Sequence, residues 1–176
     1  PDILLRLESS RVGPLGGARL QGQHDGLESV IGPLNKEQVI SVDSPVIVEV
    51  AESAILDLLP TLPAGANIAI IAINDDAALG ALAAFEEAGR LGQVAAVGQN
   101  ADRLGRAALR RANLPFIGST AYAPEQYGEQ ILEIALKILE GQAVPPAVYN
   151  EHIFITRENV DEYYPELTDS RVMSSA

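Results

Sequence analysis

The stretch IAIIAINDDAALGALAAFEEAG, residues 68–89, decides the fold. Ile68–Ile73 is a near-continuous apolar run rather than an in/out alternation, which is how a strand covered on both faces reads. The chain then turns through Asn74-Asp75. The following Asp76–Ala88 places Leu79, Leu82 and Phe85 near one helical face and meets Gly89, a residue suited to the C′ position. This is one strand–helix unit with a polar corner.

The same unit recurs in both directions. Apolar runs at Ile3–Leu7, Val39–Val42, Val94–Val97 and Phe116–Ile117 read as further strands. Ala18–Ile31 sets Leu20, Leu27 and Ile31 at helical spacing and stops at Gly32-Pro33, and Asp102–Ala112 does likewise with Leu104, Ala108 and Leu109. Pro45–Leu59 reads both ways. Val46-Ile47-Val48 favours a strand, whereas Pro45 after Ser44, followed by Val50, Ala54 and Leu58, favours a helix. The alternation requires a crossover there, so a helix is predicted. Strand and helix in repeated alternation predict an α/β fold, a doubly wound parallel sheet with helices on both faces.

Composition supports this and excludes much else. The chain has 176 residues, 47% of them hydrophobic, enough for one domain with a real core. With 12 basic against 24 acidic residues its net charge is −12, which repels phosphate backbones, so no nucleic-acid partner is expected for this segment. The absence of cysteine excludes a disulfide scaffold, a thiolate metal site and a cysteine nucleophile. No apolar run approaches the roughly 18 residues of a membrane span, and the first residues do not form a secretory signal.

In such sheets ligands bind beyond the carboxyl ends of the strands. Those positions are Ser9 and Ser10, Asp43 and Ser44, Asn74 and Asp75, Gln99 and Asn100, and Ser119 to Tyr122. Nearly all are neutral hydrogen-bonding types. A phosphate site would show glycine-rich loops with Lys or Arg, and a metal site would cluster acids or histidines. Amides, hydroxyls and one carboxylate suit a polyol instead. No Ser–His–Asp order, Walker loop or GxGxxG after a strand is present, so no catalytic residue, cofactor or metal is predicted. An α/β enzyme using strand-end carboxylates ranks below a binding function.

The tail breaks the alternation. Pro124–Glu140 predicts a strong helix, with Pro124 near its start and Gly141 at its end. Its apolar positions, Ile131 to Leu139, wrap beyond one stripe and predict burial around much of the circumference. Then come a Pro-rich link at 143–147, a strand over Val148–Ile155, a closing segment Glu158–Tyr164, and a polar, frayed end over 166–176.

Several pieces together carry a resemblance. Ile73-Asn74-Asp75-Asp76-Ala77-Ala78-Leu79-Gly80 resembles the ND-x-x-A-x-G turn of type I periplasmic sugar-binding proteins and the related lac-repressor-type regulators. Ala18-Arg19 with Gly22 resembles the family's A-R-x-x-G helix, and Val97-Gly98-Gln99-Asn100 its V-G-F-D strand end. Ala121–Gly128 resembles the turn into the penultimate helix, and Thr156–Tyr164 is similar to the ends of sugar-transporter binding proteins. The five lie in register over residues 1–165. The resemblance implies a two-lobed receptor that holds a sugar in its cleft, closes about a hinge and delivers the sugar to the membrane permease of an ABC importer.

The chain resembles the second half of such a protein, beginning mid-structure at Pro1. Residues 1–123 are expected to form the sugar-binding lobe. The helix at 124–141 is expected to pack on the first lobe or, without it, on a second copy of the chain. Residues 142–165 are expected to return to the lobe. The expected location is periplasmic, with an export signal upstream. The alternative, a regulator's cytoplasmic effector domain, is disfavoured by the Glu158–Tyr164 ending.

The resemblance also implies ligand-binding residues. Arg19 stands at the family's sugar-contacting arginine, Asn74 at its strand-end amide, and Tyr122 near a polar crossover position. Gln99, Asn100 and Ser44 complete the set. Asn100 departs from the pattern, because the family places there an Asp that accepts from two hydroxyls. Near Ser44 and Val46 the expected aromatic stacker is also replaced. Asp75 or Asp76, rather than Asn74, is expected to cap the following helix. His24 and His152 are expected to be structural or exposed.

Overall fold

The computed structural model describes residues 1–43 and 46–165, all but the side chain of Leu15 among them. The expected roles of Ser44 and Pro45 and the expected frayed end at 166–176 fall outside these residues. Its strands are β1 (Ile3–Glu8), β2 (Val39–Asp43), β3 (Ile68–Ala72), β4 (Val94–Asn100), β5 (Phe116–Ala121) and β6 (Ile153–Ile155). Its helices are α1 (Pro14–Ile31), α2 (Val48–Leu58), α3 (Asp75–Glu87), α4 (Arg103–Leu109), α5 (Tyr127–Leu139) and α6 (Val160–Tyr163). One six-stranded sheet runs in the order β2-β1-β3-β4-β5-β6. All neighbours are parallel except β6, which runs antiparallel to β5.

The apolar strands are buried because both faces of the sheet are covered. Arg6 reaches His24 of α1, so alternate positions of β1 face α1 and the others face the opposite layer. Leu4, Leu5 and Leu7 are fully buried as a result. On the other face α3 packs along β4, flanked by α2 and α4. This layer is built from small residues: Ala77, Ala78, Ala81 and Ala84 are fully buried around Phe85. Gly80 lies so close to α2 that an added Cβ would strike the Val48 carbonyl and the Ala51 methyl.

The differences from expectation have local causes. Helix α1 starts at Pro14 rather than Ala18. Gly16 lies in its first turn, where a Cβ would overlap the Ile73 side chain, so its glycine permits close packing rather than marking a loop. Helix α2 begins at Val48, since β-branched Val46 and Ile47 stay outside it, with Ile47 extended (φ −133°, ψ 133°). The predicted strand Val148–Ile155 shrinks to Ile153–Ile155, with Val148 and Tyr149 exposed.

The tail helix departs most. A 3-10 turn at Pro124–Gln126 leads into α5, which has no buried residue, and Ile131, Leu132, Leu136, Ile138 and Leu139 are all exposed. The predicted burial is not met among the described residues. The closing segment is tied down by Arg157, whose guanidinium donates to the carbonyls of Leu109, Arg111, Ala112 and Leu114 at the end of α4. Guanidinium is suited to this, with five donors and no acceptor.

Two glycine variants test the packing. Gly80→Ala places a methyl against the α2 backbone and is expected to destabilise by about 1–3 kcal/mol. Gly17→Ala in α1 meets nothing within 4 Å and is expected to stabilise by about 0.5–1 kcal/mol. Urea midpoints of the two variants and wild type are the measurement.

Candidate functional site

The strand order reverses at β1, whose neighbours β2 and β3 lead the chain in opposite directions. A crevice opens beyond the carboxyl ends of the strands, on the β4–β5 side of the sheet. It is a cleft of about 920 Å³ between α1, which supplies Arg19, Gly22 and Gln23, and the carboxyl ends of β4 and β5, which supply Gln99, Asn100, Thr120 and Tyr122. Tyr127 of α5 and His152, just before β6, close its outer side.

The wall is braced from within. The Tyr122 hydroxyl donates to Gln99 Oε1, and Gln99 Nε2 donates to the Arg19 carbonyl at 3.3 Å. Gln99 therefore spends both ends of its amide joining α1 to the β5 exit. The Arg19 guanidinium lies 4.8 Å from the centroid of the Tyr122 ring, a cation–π distance. The His152 ring meets the same tyrosine edge-on, with centroids 4.7 Å apart. Burial pushes the Tyr122 phenol above its ordinary range, so the hydroxyl stays a donor at neutral pH.

Asn100 is held out toward the cleft by its backbone. Its φ is 108° and that of Ala101 is 47°, conformations that L residues adopt only where the surroundings impose them. What imposes them is Asp75. Its Oδ2 accepts from the Asp102 backbone N–H at 3.0 Å, and its Oδ1 accepts from the Ser119 hydroxyl at 2.6 Å. The Ser119 oxygen in turn accepts from the Ala101 N–H at 2.8 Å. Gly98 and Gly105 make the room, since a Cβ on either would overlap the Asp75 carboxylate. Burial pushes the Asp75 carboxyl up to about 7 despite these donors, because desolvation outweighs them.

The structure brings four of the six predicted residues together: Arg19, Gln99, Asn100 and Tyr122 line the cleft. Asn74 stands apart from it. Its Oδ1 accepts from the Ala77 N–H at 3.0 Å and its Nδ2 donates to the Val46 carbonyl at 3.3 Å. Asn74 is thus the cap of α3, a role expected of Asp75 or Asp76; Asp75 is instead drawn inward to the Asp102 loop. Ser44 lies outside the described residues. Ser9, Ser10 and Asp43 border a separate cavity of about 300 Å³ at the start of α1. There the Ser10 N–H donates to Asp43 at 3.0 Å and holds its carboxyl below the usual range.

Sequence reading missed His152 and Tyr127 as cleft residues, and no local pattern marks them; Thr120 falls within the strand-end stretch Ser119 to Tyr122. His24, by contrast, is structural, lying between Arg6 at 3.2 Å and Glu28 at 3.3 Å. Among the described residues no group of three or more His, Asp or Glu is placed to hold a metal. None of their helices is long and apolar enough to cross a membrane.

An open α/β lobe with a polar crevice at its strand ends belongs to the class of small-molecule-binding Rossmann-like domains. The chain is, more closely, a member of the periplasmic binding protein domain family, whose sequence profile matches residues 10–143. Its fold is shared with an ABC transporter periplasmic solute binding protein from Actinobacillus succinogenes with bound D-allose (TM-score 0.74, 22% identity, covering 92% of this chain and 55% of that one). It is shared also with an ABC transporter solute binding protein from Bacillus halodurans with bound myo-inositol (0.69, 20%, 92% and 53%). A third is one from Agrobacterium vitis with bound allitol (0.74, 19%, 92% and 56%). The chain spans about half the length of these proteins. Among curated protein sequences there is no significant match.

The raised Asp75 carboxyl makes stability depend on pH. The folded chain holds this proton more tightly than the unfolded chain, where the group titrates near 3.8. The stabilisation is complete below that range and is lost as pH rises toward and through about 7. Wild type is therefore expected to lose denaturation midpoint between about pH 4 and pH 8, and Asp75→Asn to show a flatter profile over the same range. Urea melts of both at a series of pH values are the check.

Proposed function

We propose that this chain is the ligand-binding lobe of a periplasmic solute receptor that delivers a sugar or related polyol to the permease of an ABC importer, closing on its ligand about a hinge. The observation that carries this is the cleft: Arg19, Gln99, Asn100 and Tyr122 converge at the carboxyl ends of a parallel sheet. The family membership and the polyol-bound relatives support it. Those relatives are transport receptors, which favours this reading over a regulator's effector domain. It places the protein outside the cytoplasm and makes its task binding rather than catalysis.

In this reading Arg19 and Asn100 supply the ligand's hydrogen bonds, Gln99 and Tyr122 hold the wall between them, and Asn74 sets the corner from which α3 departs. The exposed face of α5 is the surface for the other lobe of the receptor, and in this chain alone it pairs with a second copy. Burying five exposed large apolar side chains is a strong drive to associate, at roughly 25 cal/mol per Å² of apolar surface.

Calorimetric titration of the full-length receptor with mono- and disaccharides and alditols is expected to give one tight ligand. Arg19→Ala and Asn100→Ala should each weaken it by about tenfold or more, the scale of one or two lost hydrogen bonds. Undiminished binding by both variants refutes the site. Light scattering of the 176-residue chain is expected to show a dimer that Leu136→Glu dissociates. A monomer at high concentration refutes the pairing through α5.

A further inference from the structure

Among the described residues, three buried side-chain polar atoms lack a hydrogen-bond partner: Arg6 Nε, Gln23 Oε1 and Asn150 Oδ1. Arg6 Nε faces the Glu8 carboxylate at 3.3 Å, and Asn150 is not one of the residues lining the cleft. Gln23 does line it. It stands four residues after Arg19 in α1, so the two side chains share a helix face one turn apart. A buried acceptor left unsatisfied is costly, and a methionine of similar length would fill the position without one.

The Gln23 amide has one orientation. Its Nε2 donates to the carbonyl of Ala72, the last residue of β3, at 3.0 Å, and lies 3.5 Å from the Arg19 carbonyl. Both are acceptors, so the nitrogen belongs at that end and the oxygen at the other. Gln99 supplies the contrast. Its Nε2 donates to the same Arg19 carbonyl at 3.3 Å, yet its Oε1 accepts from the Tyr122 hydroxyl. The glutamine on the β4 wall is thus satisfied within the lobe and the one on the α1 wall is not. Bulk solvent does not reach Gln23 Oε1, so a group that meets it must be inserted into the cleft. The Arg19 guanidinium, one turn away, has no hydrogen bond among the described residues and rests against the Tyr122 ring, so it can swing aside to admit one.

We propose that Gln23 is a further specificity-determining residue of the cleft, its Oε1 accepting the hydrogen of one ligand hydroxyl while Arg19 turns onto the same ligand. This rests on the receptor reading above and deepens it: the ligand class is a polyol with a free hydroxyl at that place. A hydroxyl suits the position because it brings a donor to Gln23 and still accepts from the donors around it. A ligand that lacks this hydroxyl, or carries it as a methyl ether, leaves the buried acceptor unpaired. Sites built in this way discriminate strongly against such analogues.

The test uses D-allose, myo-inositol and allitol, with the monodeoxy and mono-O-methyl forms of each. They are titrated in the millimolar range into the isotope-labelled 176-residue chain, following the Gln23 side-chain amide, the Arg19 guanidinium and the Asn100 amide by NMR. At least one of the three polyols is expected to shift all of these resonances. At one of its hydroxyls, removal and methylation should each weaken binding about tenfold or more, a difference of about 1.4 kcal/mol, and leave the Gln23 amide unmoved. Gln23→Met should abolish the discrimination at that hydroxyl and keep it at the others, a pattern that a general loss of affinity does not produce. Arg19 and Asn100 resonances that shift while those of Gln23 stay in place overturn this inference and leave the receptor reading standing, and that measurement needs no variant. A penalty at the same hydroxyl undiminished in Gln23→Met overturns it likewise. Three polyols that leave all these resonances unmoved overturn the receptor reading and the inference with it.

Discussion

The carboxylate of Asp75 is the interaction on which the site end of the lobe depends. It is the first residue of α3, yet it reaches β5 through Ser119 and the start of α4 through the Asp102 N–H. One side chain thereby sets the spacing of three elements, and the Ser119 relay to Ala101 fixes the left-handed turn that presents Asn100. Keeping an acid there is unfavourable in a buried site, which is why its proton is held up to about 7. Gly98 and Gly105 belong to the same arrangement, because a side chain at either would displace the carboxylate.

The rest of the lobe meets a second constraint, the shortage of aromatic bulk. With no Trp and three Phe, the core cannot be filled by large rings. It is filled by bringing backbones close instead. Buried alanines let α3 lie near the sheet, and Gly80 lets α2 lie against α3. Such packing leaves little freedom, since a single methyl at Gly80 would strike main-chain atoms that cannot swing aside. The strand ends that carry the cleft are thus held by a stiff layer behind them.

How much of this is legible in the sequence depends on the range of the interaction. Each parallel strand can be read from its unbroken apolar run, because burial on both faces leaves no polar alternation. Gln99, Asn100 and Tyr122 can be read because they sit at strand ends whose order the alternation dictates, whereas Arg19, inside α1, can be read only from the resemblance. Asn74 misleads for an instructive reason. Cap and ligand amide ask for the same residue type at the same corner, and only the Ala77 N–H decides between them. The start of α1 at Pro14 is hidden because a glycine in close contact looks like a loop glycine until Ile73 is seen against Gly16. His152 carries no signal, since it reaches Tyr122 from thirty residues along the chain. The apolar girth of α5 is readable but not its partner, which the described residues do not supply.

The placement of His152 has a mechanical consequence. The chain leaves the lobe after Ala123, where φ is 46°, and returns to it at Ile153. Cleft residues lie on both passages: Tyr122, Pro124 and Tyr127 on the way out, His152 on the way back. The return passage is anchored just beyond, by β6 pairing with β5 and by the four carbonyls that hold Arg157. The Tyr122 and His152 rings, 4.7 Å apart, already join the two passages at the cleft. Cleft and crossing segments therefore share side chains, with Tyr122 meeting the Arg19 guanidinium over its face and the His152 ring edge-on.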